Sequence, residues 1–273
     1  MIFGGHVSVA GGLQNGISRG KKEGFSALQI FVSSPRSFRI TEYTDEAIAA
    51  FNVGFKAEKF QQLFLHAIYL VNFGSEKETL RRLSRESVTH YLQMGSKLGA
   101  TGTIVHLGTD NNREQIIDDI KAVLSDAPKD QCFIVENMAS PKRFGSSLEE
   151  LIFINESVSS DHLGFCIDTQ HLFASGVDVT DGKIFAKWLE EFDKKIGIGK
   201  LLCIHANDSK TELGSGHDRH ANIGEGSIGR AGFRNILKQP LLKDKPFVLE
   251  TPGVDKKGPD KKNMNLLIEL SQH

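Results

Sequence analysis

Eight short apolar runs, rich in β-branched and aromatic residues, recur along this chain, and amphipathic stretches with helical spacing separate them. The runs cover residues 2–6, 27–31, 62–66, 102–106, 132–136, 163–168, 201–205 and 246–250. Between them the spacing predicts helices over 11–23, 44–60, 77–98, 113–125, 147–157, 183–195 and 229–237. Parallel strands need long crossovers, and eight strand–helix units close into a (β/α)₈ TIM barrel; an open doubly wound sheet is the structural rival. At 273 residues the chain is long enough for one such barrel with a large core. No linker rich in Pro, Gly or Ser divides it, so a single α/β domain over 1–273 is expected. Residues 256–262 read as a polar, solvated break before a short final helix, with no function attached.

What ends each run carries the chemistry. QQLFL stops at His66, GTIV at His106, CFIV at Glu136, GFCI at Asp168, LLCI at His205 and PFVL at Glu250. In a parallel barrel these ends open onto the C-terminal face, where loops build active sites. His171 follows Asp168 by three in DTQH, which suits one helical turn. Asp218 and His220 alternate in DRH, so both point the same way in an extended loop. A lone His or carboxylate at a strand end is more often a structural residue or a helix N-cap. Six in succession, buried together, would cost more than a fold this size can offset unless a cation fills the pocket. The set totals five imidazoles and four carboxylates, which suits zinc or another borderline ion, whereas calcium or magnesium would take oxygen alone. Nine ligands exceed what one zinc needs and match three ions with open positions; paired metals suit in-line displacement at phosphorus.

These residues lie in longer motifs: GGHVSVAGGL (4–13), QIFVSSPRSF (29–38), HAIYLVNFGS (66–75), IDTQHLFASG (167–176), HANDSKTELGSGHDRHANIGEGSIG (205–229) and LETP (249–252). Nearly end to end, the chain resembles the endonuclease IV family of zinc-dependent apurinic/apyrimidinic endonucleases. The resemblance implies a first zinc on His66, His106 and Glu136, with Glu136 bridging to a second zinc completed by Asp168, His205 and Glu250. A third would sit on His171, Asp218 and His220. It further implies base-excision repair: a metal-bridging hydroxide attacks the phosphate 5′ to an abasic site in double-stranded DNA, leaving a 3′-hydroxyl and a 5′-deoxyribose phosphate. Glu136, Asp168 and Glu250 would be catalytic. Arg36 and Tyr69 match positions that enter the minor groove, and Lys210, Arg219 and Arg230 would meet phosphates. Without the resemblance, Arg36 reads as a solvated charge and Tyr69 as a core or rim aromatic. His6, ending the first run, reads as a support beneath the cluster. The family also implies a monomer.

The chain departs from the family pattern in two loops. Met138-Ala139-Ser140-Pro141-Lys142 stands where Thr-Ala-Gly-Gln-Gly is usual, and Leu107-Gly108-Thr109-Asp110 replaces Pro-Gly-Ser-His. Ser34, Phe38 and Gln170 replace the common Asn, Trp and Cys. None is a metal ligand; the changes bear on nucleotide recognition and turnover.

Net charge is −1, unusual for a nucleic-acid binder, but three divalent ions would carry the formal total to +5 at one place. The opening MIFGGHVSVAGG lacks the basic and apolar regions of a signal peptide, and no run approaches a membrane span. Cys132, Cys166 and Cys203 each sit in an apolar run, which suits reduced, buried thiols and a cytoplasmic location. Two rival functions remain. A sugar isomerase or epimerase on a related barrel would not need His171, Asp218 and His220 together. A repair protein that binds abasic DNA without cutting it would have no reason to keep nine ligands.

Overall fold

In a computed structural model, each of the eight expected runs is a parallel strand, and the strands close in chain order into a barrel. The structure describes residues 1–272; His273, the last position of the expected domain, lies outside the described residues. The strands are β1 (Ile2–His6), β2 (Ala27–Ile30), β3 (Gln62–His66), β4 (Gly102–Val105), β5 (Cys132–Glu136), β6 (Leu163–Asp168), β7 (Leu201–His205) and β8 (Pro246–Leu249). Closure is made by β1 pairing with β8, Ile2 opposite Pro246 and Gly5 opposite Leu249. The open-sheet alternative is thereby excluded.

The helices outside the barrel are α1 (Gln14–Glu23), α2 (Asp45–Ala57), α3 (Glu78–Leu98), α4 (Arg113–Asp126), α5 (Leu148–Val158), α6 (Thr169–Ala174), α7 (Gly182–Lys195), α8 (Gly229–Leu237) and α9 (Lys261–Ser271). Side-chain caps set several starts: Thr44, Asn112, Ser147 and Asp181 each accept a backbone N–H from the first turn. α1 begins three residues later than the spacing predicts. Gly11 and Gly12 have φ of +89° and +129°, a backbone no helix can use.

Strand periodicity fixes the platform of the site. Phe64, Ile104, Ile134, Cys166, Cys203 and Val248 form a buried layer inside the barrel. Each stands two residues before one of His66, His106, Glu136, Asp168, His205 and Glu250. Successive side chains alternate faces, so the six polar groups share the inward face and rest on that apolar plug. The outward faces pack against the helices in a larger core containing Phe51, Phe133, Phe165, Phe192 and Phe247.

Several elements differ from expectation. β2, β4 and β8 end one residue early, so His106 and Glu250 stand just past their strands. A two-stranded antiparallel ribbon (Asp208–Ser209 with His220–Ala221) and 3₁₀ turns at Ile198–Lys200 and Pro240–Leu242 were not anticipated. α9 starts inside the supposed solvated break, and Lys257, Gly258 and Pro259 line the barrel mouth. Cys166 and Cys203 are buried as expected, but Cys132 is only half-buried; all three thiols are free. No helix among the described residues is long and apolar enough to cross a membrane.

Candidate metal centre

At the C-terminal mouth lies a cavity of about 960 Å³ lined by His6, His66, His106, His171, Asp218, His220 and Glu250 among others. Glu136 lies fully buried behind His66, His106 and His171. Its two oxygens face different partners. Oε2 is 3.2 Å from His66 Nε2 and 2.9 Å from His106 Nε2. Oε1 is 3.1 Å from His205 Nδ1 and 3.2 Å from His171 Nδ1. At His205 Nδ1 two more carboxylates gather: Glu250 Oε2 at 3.3 Å and Asp168 Oδ2 at 3.9 Å. Further along the mouth, the Asp218 carboxylate lies 3.3 Å from both His171 Nε2 and His220 Nε2. Asp168 Oδ2 also reaches His220 Nε2 at 3.5 Å.

All nine expected residues are thus brought to one mouth, and eight of them fall into three groups. Ligand atoms of His66, His106 and Glu136 lie within 4.8 Å of one another, as do those of Glu136, Asp168, His205 and Glu250, and those of Asp168, His171 and His220. The third group differs from the expectation in that Asp168 completes it. Asp218, half exposed on its loop, stands at its outer edge.

Local structure orients the groups. Asp168 is the N-cap of α6: Oδ1 accepts the N–H of Gln170 and His171, which leaves Oδ2 for the cavity. That cap and the helical turn after it carry His171 onto the Asp168 side of the site, as the DTQH spacing predicts. His66 Nδ1 lies 2.7 Å from the Ala67 carbonyl, His171 Nδ1 2.9 Å from the Asn137 carbonyl, and His220 Nδ1 3.4 Å from the Glu250 carbonyl. Each Nδ1 therefore carries a proton and donates it, so that in the neutral ring Nε2 is the nitrogen left for the cavity. His6 sits beside the cluster, with Nδ1 3.1 Å from Glu250 Oε1.

Some contributors escaped the sequence reading. Asn137 Oδ1 accepts the Asp168 N–H at 2.6 Å, and Asn207 donates to Asp168 Oδ2 at 2.7 Å while accepting the Glu250 N–H at 2.9 Å. The available signal was an Asn one position after Glu136 and two after His205. Gln29, fully buried on β2, was missed as well; its signal was a single amide within ALQI.

The residues expected to meet DNA are more scattered. Tyr69 is 60% exposed and lines the cavity, so it is no core aromatic; its ring is 5.2 Å from that of Phe31. Its N–H donates to Pro35 O, which sets exposed Arg36 beside it. Arg219 lines the cavity, whereas Arg36, Lys210 and Arg230 are exposed outside its lining. The two altered loops pack on each other. Thr109 bridges to Arg143, and the Asp110 N–H donates to Lys142 O at 3.1 Å. Their departures from the family pattern therefore form one joined unit.

Charge makes the pocket self-consistent. Burial pushes the Glu136 carboxyl up, but His106 and His205 outweigh it and hold the group well below the usual carboxylate range. Burial disfavours charge on His205 and His171, yet Glu250 and Glu136 around the first, and Asp168 and Asp218 around the second, hold both well above the ordinary His value. In the metal-free protein the imidazoles contribute stability that is complete below their unfolded value of about 6.5 and lost as pH rises through their raised folded values. Glu136 contributes stability present above about 4.3 and lost as pH falls through its lowered value. Metal-free protein is therefore expected to melt highest between about pH 4.5 and 6.5 and to lose Tm above that. Bound metal should reverse the upper limb, because ligation needs neutral imidazole. Calorimetry in chelator at pH 5.5, 7 and 8.5 checks this; a Tm that holds level or rises would mean the folded imidazoles are uncharged.

The donors fit a metal. His171 Nε2 and His220 Nε2 are buried without a hydrogen-bond partner, and both point at Asp218. Such atoms are costly unless a cation or an ordered polar group meets them.

Residues 17–270 match the model of the xylose isomerase-like TIM barrel family. A probable endonuclease 4 of Halothermothrix orenii is 38% identical over 98% of this chain and 99% of its own length. The crystal structure of endonuclease IV from Thermus thermophilus superposes with a TM-score of 0.89 at 30% identity, covering 100% of this chain and 99% of that one. A D-tagatose 3-epimerase-like protein shares the fold at a TM-score of 0.72 and 22% identity, over 100% of this chain and 97% of its own. With near-complete coverage at these identities, the chain belongs to the endonuclease IV family of xylose isomerase-like TIM barrels.

Proposed function

We propose that the chain is a metal-dependent nuclease that hydrolyses the phosphodiester 5′ to an apurinic/apyrimidinic site in double-stranded DNA. The products are a 3′-hydroxyl and a 5′-deoxyribose phosphate, and the role is base-excision repair. The observation that carries this reading is Glu136, whose Oε2 faces His66 Nε2 and His106 Nε2 while Oε1 faces His205 Nδ1. A carboxylate shared between two donor sets is what a pair of adjacent ions requires, and adjacent ions suit displacement at phosphorus.

In this reading, His66, His106 and Glu136 would hold one zinc; Glu136, Asp168, His205 and Glu250 a second; and His171, Asp218 and His220 a third, with Asp168 beside it. When bound, the ions supply a water acidic enough to attack at neutral pH and positive charge beside the leaving oxygen. The protein's own groups do the rest. Glu250 Oε2 and Asp168 Oδ2, both aimed at the space next to His205 Nδ1, would orient the attacking water, and one of the two would take its proton. Exposed Tyr69 and Arg36 enter the minor groove beside the lesion, and Arg219 and Lys210 meet backbone phosphates. A sugar without a base has no pair to lose, so extruding it costs little. Residues 1–273 act as one unit, a cytoplasmic monomer. The group of His171, Asp218 and His220, for which an isomerase has no need, argues against sugar chemistry.

The test incubates metal-replete protein and chelator-stripped protein with a duplex bearing one abasic site. Cleavage 5′ to the lesion that vanishes on stripping and returns with zinc is expected. Equal cleavage in EDTA would exclude the metal route, and binding without a nick would favour a non-catalytic repair protein.

A further inference from the structure

Three of the imidazoles in the centre are oriented by main-chain carbonyls. His205 is not. Its Nε2 lies 2.7 Å from the side-chain Oε1 of Gln29, which reaches it from β2 across the barrel interior. We propose that Gln29 is a positioning residue that fixes the tautomer of His205 and the orientation of Glu250, and so prepares the second metal set. The proposal rests on the metal reading above.

The orientation of the amide follows from its partners. Gln29 Nε2 is 2.6 Å from Glu250 Oε1. An ionised carboxylate only accepts, so the NH₂ end must face it and the carbonyl end must face His205. His205 Nε2 therefore carries the proton and donates to Gln29, and the other nitrogen, Nδ1, has its lone pair free for a metal. Nδ1 is the atom on which Glu136 Oε1, Glu250 Oε2 and Asp168 Oδ2 converge.

The same amide sorts the oxygens of Glu250. Oε1 is taken by Gln29 and lies 3.1 Å from His6 Nδ1, which leaves Oε2 facing His205. One uncharged side chain, fully buried, thus sets one imidazole and one carboxylate that reach it from β7 and the end of β8. A buried glutamine in a barrel strand is costly unless its polar atoms are met, and both ends of this one are. Because His66, His171 and His220 use main-chain carbonyls, no side-chain change removes their partners. Gln29 is a place where the tautomer of His205 can be altered without touching a ligand.

Two variants separate the roles. Gln29→Met keeps the bulk and removes the hydrogen bonds to His205 and Glu250, together with the 2.9 Å contact to His6 Nδ1; Gln29→Glu keeps an acceptor for His205 and loses the donor to Glu250. Zinc per chain and zinc affinity are measured by competition with a chromophoric chelator, and the His205 Nε2–H proton is followed in long-range ¹⁵N–¹H spectra of zinc-loaded protein. In Gln29→Met, one zinc should weaken by about 10–100-fold while the others stay, and the His205 imino proton should be lost to exchange. In Gln29→Glu the imino proton should persist although that zinc is still weakened. Wild-type affinity for every ion in Gln29→Met would overturn the proposal, and so would weakened zinc with the imino proton intact. Should Gln29→Met fail to fold, wild-type affinity in Gln29→Glu, or loss of its imino proton, overturns it equally. A wild-type chain that takes up no zinc would instead bring down the metal reading itself.

Discussion

Glu136→Gln is expected to slow cleavage at abasic sites by about a thousandfold, equivalent to roughly 4 kcal/mol of transition-state stabilisation. The substitution keeps the shape of the side chain and removes its charge. Glutamine offers one carbonyl oxygen and an NH₂ that repels cations, so it cannot face His66 and His106 with one lone-pair oxygen and His205 with another. Two of the three donor groups contain Glu136, so metal content should fall from three ions to at most one, on the group of Asp168, His171 and His220. The metal-free variant should change as well. Without the Glu136 charge the raised value of His205 is partly relieved, and the fall in Tm above pH 6.5 should become shallower. Metal analysis, single-turnover cleavage and calorimetry on the same preparation read all three effects. Three ions and undiminished turnover in Glu136→Gln would show that the carboxylate is not shared between metals.

The second large effect is structural. Asp208 is fully buried directly after the His205–Asn207 segment, and its carboxylate accepts five backbone N–H groups, those of Ser209, Gly224, Gly226, Ile228 and Gly229. It ties the loop that follows His220 to the end of β7. The approach is so close that a Cβ on Gly226 would lie 2.3 Å from Ser209 O and 2.6 Å from Asp208 Oδ1. Asp208→Ala leaves those donors unmet in a site with little room for water. A loss of about 3–5 kcal/mol is expected. For a chain of this length that corresponds to a drop of about 10 °C in Tm. Asp208→Asn, which retains one acceptor oxygen, should fall between the two. Because the ribbon that presents His220 runs beside this loop, affinity for the third ion should weaken in step with stability. If Asp208→Ala melts within about 1–2 °C of the parent, the carboxylate does not hold the loop.

The sequence by itself determined the barrel and the imidazoles and carboxylates that gather at its mouth, because both follow from local regularities. Alternation along a strand puts Ile134 and Glu136, or Cys203 and His205, on one face, and parallel strands put all their C-terminal ends at one mouth. The turn in DTQH placed His171 by the same kind of local rule. What alternation cannot supply is the meeting of groups far apart in the chain. That Gln29 touches both His205 and Glu250, that Asp168 divides its oxygens between a helix cap and two donor groups, and that Asp208 gathers N–H groups up to 21 residues away were decided by tertiary packing. These contacts tolerate shifts of only a few tenths of an ångström. Closing the sheet fixes their distances, and no spacing along the chain encodes them.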